Sequence, residues 1–246
     1  MHLPWLDDDT PFPDPESALT EQEGAPGLLA AGGDLSPARL LDAYKHGIFP
    51  WYAEPQPILW WSTDPRMVLR TDEFHVSHSL RKRLKVIERS IERGGPWRVC
   101  FDSAFAEVIA HCAQPRADGA GTWITPAMIE AYTELHRLGF GHSAELWYEG
   151  KLVGGAYGIC IGRMFFGESM FALLPDASKI ALAYLVHFLR SEGVALIDCQ
   201  QQTSHLATLG AKPVTRREFL AEVRAAVTQE PILTWRPYPL RDGFLV

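Results

Sequence analysis

From Leu152 to Phe171 nearly every position is apolar or glycine, LVGGAYGICIGRMFFGESMF, and the one carboxylate in the run is Glu168. Gly162-Arg163 divides it with the composition of a two-residue hairpin turn, so the pattern predicts paired strands over Leu152–Ile161 and Met164–Phe171. Glycines at 154, 155 and 158 weaken a strand and mark a bulge or a place where another backbone or a ligand comes close. Two readings stand: the floor of a binding site holding a lone acid, or a buried hairpin whose Glu168 pairs with an arginine.

Around this hairpin the apolar spacing alternates between helical and strand-like. Residues 1–26 are rich in proline and read as extended or irregular chain. Ser36-Pro37 is a cap followed by proline at the first helical position, and it opens a helix over Pro37–His46 that Gly47 stops. Four prolines between 50 and 65 place a boundary near Asp64-Pro65, with a small N-terminal domain over 1–64 and a larger domain over 65–246. In the latter, strands are predicted at Arg66–Leu69, Trp97–Phe101, Ser143–Tyr148 and Val194–Cys199. Helices are predicted at Ser77–Ile91, from a Ser103 cap to His111, from Thr125-Pro126 to near Gly139, from an Asp176 or Ser178 cap through Leu189, at Ser204–Leu209 and at Glu218–Val227, with a loop at Gly119–Gly121. The resulting class is α+β, with a mixed, mostly antiparallel sheet whose middle strands are followed by one helix and a further strand. That order looks like the acetyltransferase-type (GNAT-like) acyltransferase fold.

Composition narrows the classes. The chain has 246 residues, 47% hydrophobic and 22% charged, which suits a globular protein with a sizeable core. A net charge of −7 argues against general adhesion to nucleic acid or membranes, but not against a local basic patch. The four cysteines are scattered without metal-ligand spacing, so neither zinc nor a disulfide framework is expected, and the histidines give no metal pattern. Without a signal pattern or an apolar run of about 18 residues, the cytoplasm is the expected compartment.

The candidate chemistry lies in four further places. The junction from Phe171 to Lys179, FALLPDASK, has no glycine, a proline without an N–H and an aspartate, which disfavours cradling the pyrophosphate of an acyl-CoA. Asp198 and Gln200 fall on one face of a strand, where the acid either orients the amide, directly or through a backbone group, or caps the following helix. Trp51, Tyr52, Trp60 and Trp61, with Tyr44 and Phe49 nearby, either line a stacking pocket or form the core of the small domain. The helix over 77–91 has a polar face of Arg81, Lys82, Arg83, Lys85 and Arg89, either a phosphate-backbone contact or a solvated face.

At this point the residues match a known family. Ordered blocks GLLAAGGDLSPARLLDAYKHGIFPWY (27–52), PILWWSTDPRMVL (57–69), GTWITPAMIEAYTELHRLGFGHSAELW (121–147), the hairpin (152–171), DASK (176–179), LIDCQ and HLATLGA (196–211) cover most of the chain. The chain resembles the leucyl/phenylalanyl-tRNA–protein transferases, bacterial aminoacyltransferases of the N-degron pathway. It departs from them in STDPR for SPDPR, and in SHSL for SRSL, which removes one positive charge from the basic helix. The resemblance implies transfer of Leu or Phe from Leu-tRNA or Phe-tRNA to the α-amine of proteins beginning with Arg or Lys. It implies Asp198 and Gln200 as the catalytic pair and Glu168 as an active-site acid. Trp51, Tyr44, Trp123, Phe165 and Ala156 would surround the aminoacyl-adenosine end, and Arg81, Lys82, Arg83 and Lys85 would contact tRNA. No cofactor, metal or membrane is expected, and the protein is expected to act as a monomer. The rivals are an acyl-CoA-dependent GNAT-type N-acyltransferase and a tRNA-binding or N-degron-recognition module without a catalyst.

Overall fold

The computed structural model describes residues 3–7, 9–115, 123–240 and 244, so the expected loop at 119–121 lies outside the described residues. The first strands are β1 (Trp5–Leu6), β2 (Leu28–Gly32), β3 (Phe49–Pro50) and β4 (Leu59–Trp61), forming a four-stranded sheet in the order β1-β2-β4-β3. Helix α1 (Pro37–Lys45) lies between β2 and β3 in the chain, and the Ser36 hydroxyl caps it by accepting the Arg39 N–H. The run Gly27–Gly33, too rich in glycine and alanine to read as a strand by propensity, forms β2 because β1 and β4 pair with it on either side.

The larger sheet uses β5 (Arg66–Arg70), β6 (Trp97–Phe101), β7 (Gly141–Tyr148), β8 (Lys151–Ile161), β9 (Met164–Ala172), β10 (Leu196–Asp198) and β11 (Lys212–Val214), in the order β11-β5-β10-β9-β8-β7-β6. Five of its pairings are antiparallel, and β9 with β10 is parallel. A parallel pair needs a long crossover, supplied by α5 (Ala177–Ser191), whose apolar surface is almost wholly buried. The remaining helices are α2 (His78–Glu92), α3 (Phe105–Cys112), α4 (Pro126–Arg137), α6 (Ser204–Thr208) and α7 (Arg216–Ala226). The class is therefore mixed α and β, with a mixed sheet as the pattern suggested.

Two caps differ from expectation. Ser103 does not cap α3; its hydroxyl and N–H both bind the buried Glu145 carboxylate. Asp176 stands before α5 in a left-handed conformation without capping it, because its carboxylate is engaged by Arg83 and Lys179.

Alternation along the strands feeds two apolar cores. Phe166 and Val68 join Leu40, Tyr44, Trp60, Tyr132 and Phe219, so the small sheet, α1, α4 and α7 share one core with one face of the large sheet. Phe165, Leu69 and Ile197 join Leu84 and Phe188 from α2 and α5 on the other face. The hairpin glycines serve this packing. A Cβ on Gly154 would lie 2.5 Å from that of Ala177, and one on Gly158 would lie 2.2 Å from the Phe166 carbonyl oxygen. At these positions the close approach is by the protein's own chain.

Candidate active site

Parallel pairing of β9 with β10 ends at Phe166 and Asp198. Strand β9 continues to Ala172, whereas the chain after Asp198 turns away. Between the two opens a cavity of about 560 Å³, lined on one side by residues from Phe165 to Ala172 and on the other by Ile197 and the segment from Cys199 to Leu206. Trp51 and Trp123 form its aromatic rim, and Ala156 and Gly167, with little or no side chain, leave room at its floor. Thus Trp51, Trp123, Ala156, Phe165, Glu168 and Gln200, six of the residues singled out from the sequence, line one cavity. Of the aromatic group, Trp51 is at the cavity and partly exposed. Trp60 is buried, with its indole N–H on the Gly32 carbonyl, and Tyr52 is buried against Thr125. The group is therefore divided: Trp51 lines the cavity, while Tyr52 and Trp60 are core residues, in a core shared with the larger sheet and not one of the N-terminal segment alone.

Glu168 owes its aim to a register break. Tyr157 pairs with Ser169 and Gly158 with Gly167, leaving Glu168 as the extra residue of a bulge. Its carboxylate accepts the Tyr44 hydroxyl at 2.7 Å and the Tyr132 hydroxyl at 3.2 Å, and the two phenols also touch each other. No arginine pairs with it among the described residues, which removes the buried ion-pair reading. Burial pushes the Glu168 carboxyl up to about 7; the Tyr44 hydrogen bond opposes this, the Asp198 charge adds to it, and Tyr132 and Arg66 oppose it. Tyr44, Tyr132 and Tyr157 are all pushed well above the ordinary phenol value, first by burial and then by the Glu168 charge, so all three stay protonated, and Tyr44 and Tyr132 serve as donors.

Asp198 is situated quite differently. Its side chain has 0% exposure, as does that of Arg66, whose Nε and Nη2 donate to the two carboxylate oxygens at 2.8 and 2.7 Å. It does not share a strand face with Gln200, because β10 stops at Asp198 and Gln200 adopts a left-handed conformation with φ 52°. Nor does it cap the next helix, which Thr203 caps. It reaches Gln200 through the backbone instead, its Oδ1 accepting the Gln200 N–H at 2.9 Å. Cys199 lines the cavity between them, with its thiol pushed up by burial and therefore protonated.

The basic helix meets the cavity's α5 wall. Arg83 donates to the Pro175 carbonyl oxygen at 3.0 Å and pairs with Asp176 at 3.1 Å, while Lys179 pairs with the same carboxylate at 3.3 Å. Two cations thus face one acid, so the expectation that Asp176 repels phosphate does not hold. Lys82 and Lys85 are exposed, and Arg81 is half-buried. Burial, then the Lys179 charge, lowers His205 at the cavity wall.

Sequence reading missed Arg66 and Tyr132; the bulge was one of the two readings of the hairpin glycines, and the register does shift at Gly158. A lone arginine opening the otherwise apolar strand Arg66–Leu69 was the available signal, since a fully buried arginine requires an acid partner. Tyr132 was indistinguishable from the apolar face of its helix. Among the described residues no group of three or more His, Cys, Asp or Glu side chains is arranged to hold a metal, and no helix is long and apolar enough to cross a membrane.

A family model described as leucyl/phenylalanyl-tRNA protein transferase matches residues 68–224, and one described as that family's N-terminal domain matches residues 33–64. A leucyl/phenylalanyl-tRNA–protein transferase of Janthinobacterium sp. (strain Marseille) is 62% identical over 97% of this chain and 98% of its own. One of Bordetella bronchiseptica is 58% identical over 96% and 92%. A solved GCN5-related N-acetyltransferase from Kribbella flavida is 11% identical, with a TM-score of 0.32 over 73% of this chain and 61% of its own, too distant to argue from. With such relatives over nearly its whole length, the chain belongs to the leucyl/phenylalanyl-tRNA–protein transferase family and is an aminoacyltransferase.

Proposed function

We propose that the protein transfers Leu or Phe from an aminoacyl-tRNA to the α-amine of proteins beginning with Arg or Lys, marking them for degradation by an N-degron pathway. The larger sheet, with its crossover helix and the cavity where parallel strands part, is read as a GNAT-like catalytic domain over 65–246, preceded by a small domain over 1–64. The observation that carries the reading is the convergence on one cavity of an aromatic rim, a small-residue floor, the Gln200 turn and an acid, Glu168, that forms no ion pair among the described residues.

The reaction is aminolysis of an ester. The α-amine attacks the aminoacyl carbonyl, a C–N bond forms, the ester C–O bond breaks, and the tRNA 3′ oxygen leaves with the proton. The donor is already activated, and a free α-amine with pKa ≈ 7.7–8.0 is partly neutral near pH 7, so positioning and oxyanion stabilisation carry most of the work. The terminal adenosine and acyl side chain would lie against Trp51, Trp123, Phe165 and Ala156. Gln200 would contact the reacting groups, and Tyr44 would hold Glu168 for the acceptor's cationic residue. Asp198, having no exposed surface, acts by fixing the Gln200 turn rather than as a base. Because a methylene is worth only about 1–3 kcal/mol in an apolar pocket, selection of the acyl group rests largely on prior charging of the tRNA. Phosphate contacts would then come from Lys82 and Lys85, with Arg81 and Arg83 beside them.

The test is a transfer assay with labelled Leu-tRNA and peptides that differ only in beginning with Arg or Ser. Transfer to the first and not the second is expected; equal transfer defeats the acceptor reading. Gln200→Ala should lower kcat far more than it weakens tRNA binding. Reversing Lys82 and Lys85 to Glu should weaken tRNA binding and flatten its salt dependence, with a slope change of about 0.7–0.9 per lost contact.

A further inference from the structure

The guanidinium of Arg66 is held on every side. It lies between the rings of Phe49 and Phe219, 4.6 and 4.5 Å from their centroids, and grips Asp198 through two nitrogens. Its third nitrogen, Nη1, has no hydrogen-bond partner among the described residues, so its whole polar commitment is to this one acid. Gln200 has a conformation that non-glycine residues seldom adopt, which persists only where the surroundings over-determine it. The surroundings here are Asp198 on its N–H, and Met67 N–H and the Thr63 hydroxyl on its carbonyl oxygen, at 3.3 and 3.1 Å. Three of these groups thus flank or contact Arg66: Thr63 and Met67 near it in sequence, and Asp198 across the sheet. On the opposite side, Phe49 precedes Pro50 and Trp51, which line the cavity.

We propose, building on the transferase reading above, that Arg66 is a positioning residue for acyl transfer that acts on substrate only through the Gln200 turn. Burying the core does not require an ion pair here, since well-packed apolar side chains often replace one at no loss of stability. What the guanidinium supplies is direction. Its planar fork fixes both carboxylate oxygens of Asp198, and one of these then meets the Gln200 N–H. Lysine keeps the charge but has neither the fork nor the flat faces that stack on Phe49 and Phe219. With 0% exposure, Arg66 cannot touch either substrate itself.

The experiment is a double-mutant cycle on the full chain, measuring kcat and both KM values in the Leu-tRNA to Arg-peptide assay for wild type, Arg66→Lys, Gln200→Ala and the double variant. Arg66→Lys should lower kcat by about 100-fold, the scale of a displaced catalytic group, with KM for Leu-tRNA unchanged. In the Gln200→Ala background it should lower kcat no further. An equal loss of kcat in both backgrounds overturns the proposal, as does a loss confined to KM. If Arg66→Lys does not fold, Phe219→Leu removes one stacking ring while keeping the ion pair; its smaller loss of kcat should likewise vanish beside Gln200→Ala, and an undiminished loss overturns the proposal. A wild type that transfers nothing defeats the transferase reading together with this one, whereas additive losses in an active wild type defeat this one alone.

Discussion

Asp198 and Glu168 are the same kind of group on neighbouring strands, close to the point where those strands part, and the protein treats them in opposite ways. Asp198 is withdrawn from solvent, gripped through both oxygens by a guanidinium, and used to hold a turn. Glu168 faces the cavity and is held by two phenols that donate hydrogen bonds but bring no positive charge. The first is an anion whose charge is already answered. The second titrates near neutrality and is charged only when something makes the charge worthwhile, which suits a site whose cation arrives with the substrate. A buried acid is therefore not one kind of evidence; its counter-charge decides whether it is scaffold or binding group.

The sharpest way to break this contrast is Asp198→Ala. It leaves Arg66 buried without a partner, which should cost about 3–5 kcal/mol of stability, read as a lower denaturant midpoint. It should also remove most of kcat by freeing the Gln200 turn. A variant with native stability and full turnover would place Asp198 outside both roles.

How much of this was legible in the sequence differs between the two acids. The hairpin holding Glu168 was readable from its apolar run and its Gly162-Arg163 turn, and the parallel partner strand from the run ending in Cys199. The bulge was one of the two readings of the hairpin glycines, but its extra residue was not legible. One extra residue in β9 puts Phe171 on the same face as Phe166, against the strict alternation that sequence reading assumes, and nothing in the composition of GESMF announces it. The glycines pointed to close approach but not to what approaches, because only the fold decides that Ala177 and Phe166 come near them. The Asp198 partner lies 132 residues away at Arg66, beyond any local pattern. The spacing of Asp198 and Gln200 suggested a shared strand face, and the left-handed turn between strand end and loop overrides it.

Glu168→Gln should act the other way on stability. Between the ordinary carboxylate value of 4.5 and about 7, the folded protein keeps a proton on Glu168 that the unfolded chain has released. The group's contribution to stability is therefore full at low pH and lost as pH rises through about 7. The glutamine variant should lack that decline and be at least as stable as wild type at pH 8, as measured by urea unfolding at pH 5 and 8. Its cost should appear in acceptor binding: losing a charged hydrogen-bond partner, worth about 1.5–3 kcal/mol, raises KM for the Arg-peptide by about 10- to 100-fold. In wild type that KM should fall as pH rises through 7, and in the variant it should not. A variant that loses kcat and stability together, as Asp198→Ala does, would erase the distinction between the two acids.

The smallest effects come from the phenols and test whether they, rather than an unseen cation, set the charge of Glu168. Both hydrogen bonds lower its proton affinity, and that of Tyr44 is the stronger cause and the shorter bond. Tyr132→Phe should cost about 1 kcal/mol of stability at pH 5, where Glu168 keeps its proton and the bond is a neutral one. It should also move the pH dependence of acceptor KM to higher pH. Tyr44→Phe should move it further in the same direction. Both shifts follow from removing donors that stabilise the carboxylate over the acid. A shift to lower pH in either variant would mean that burial is relieved more than hydrogen bonding is lost, so that the phenols act as the dry wall of the site and not as its charge-setting donors.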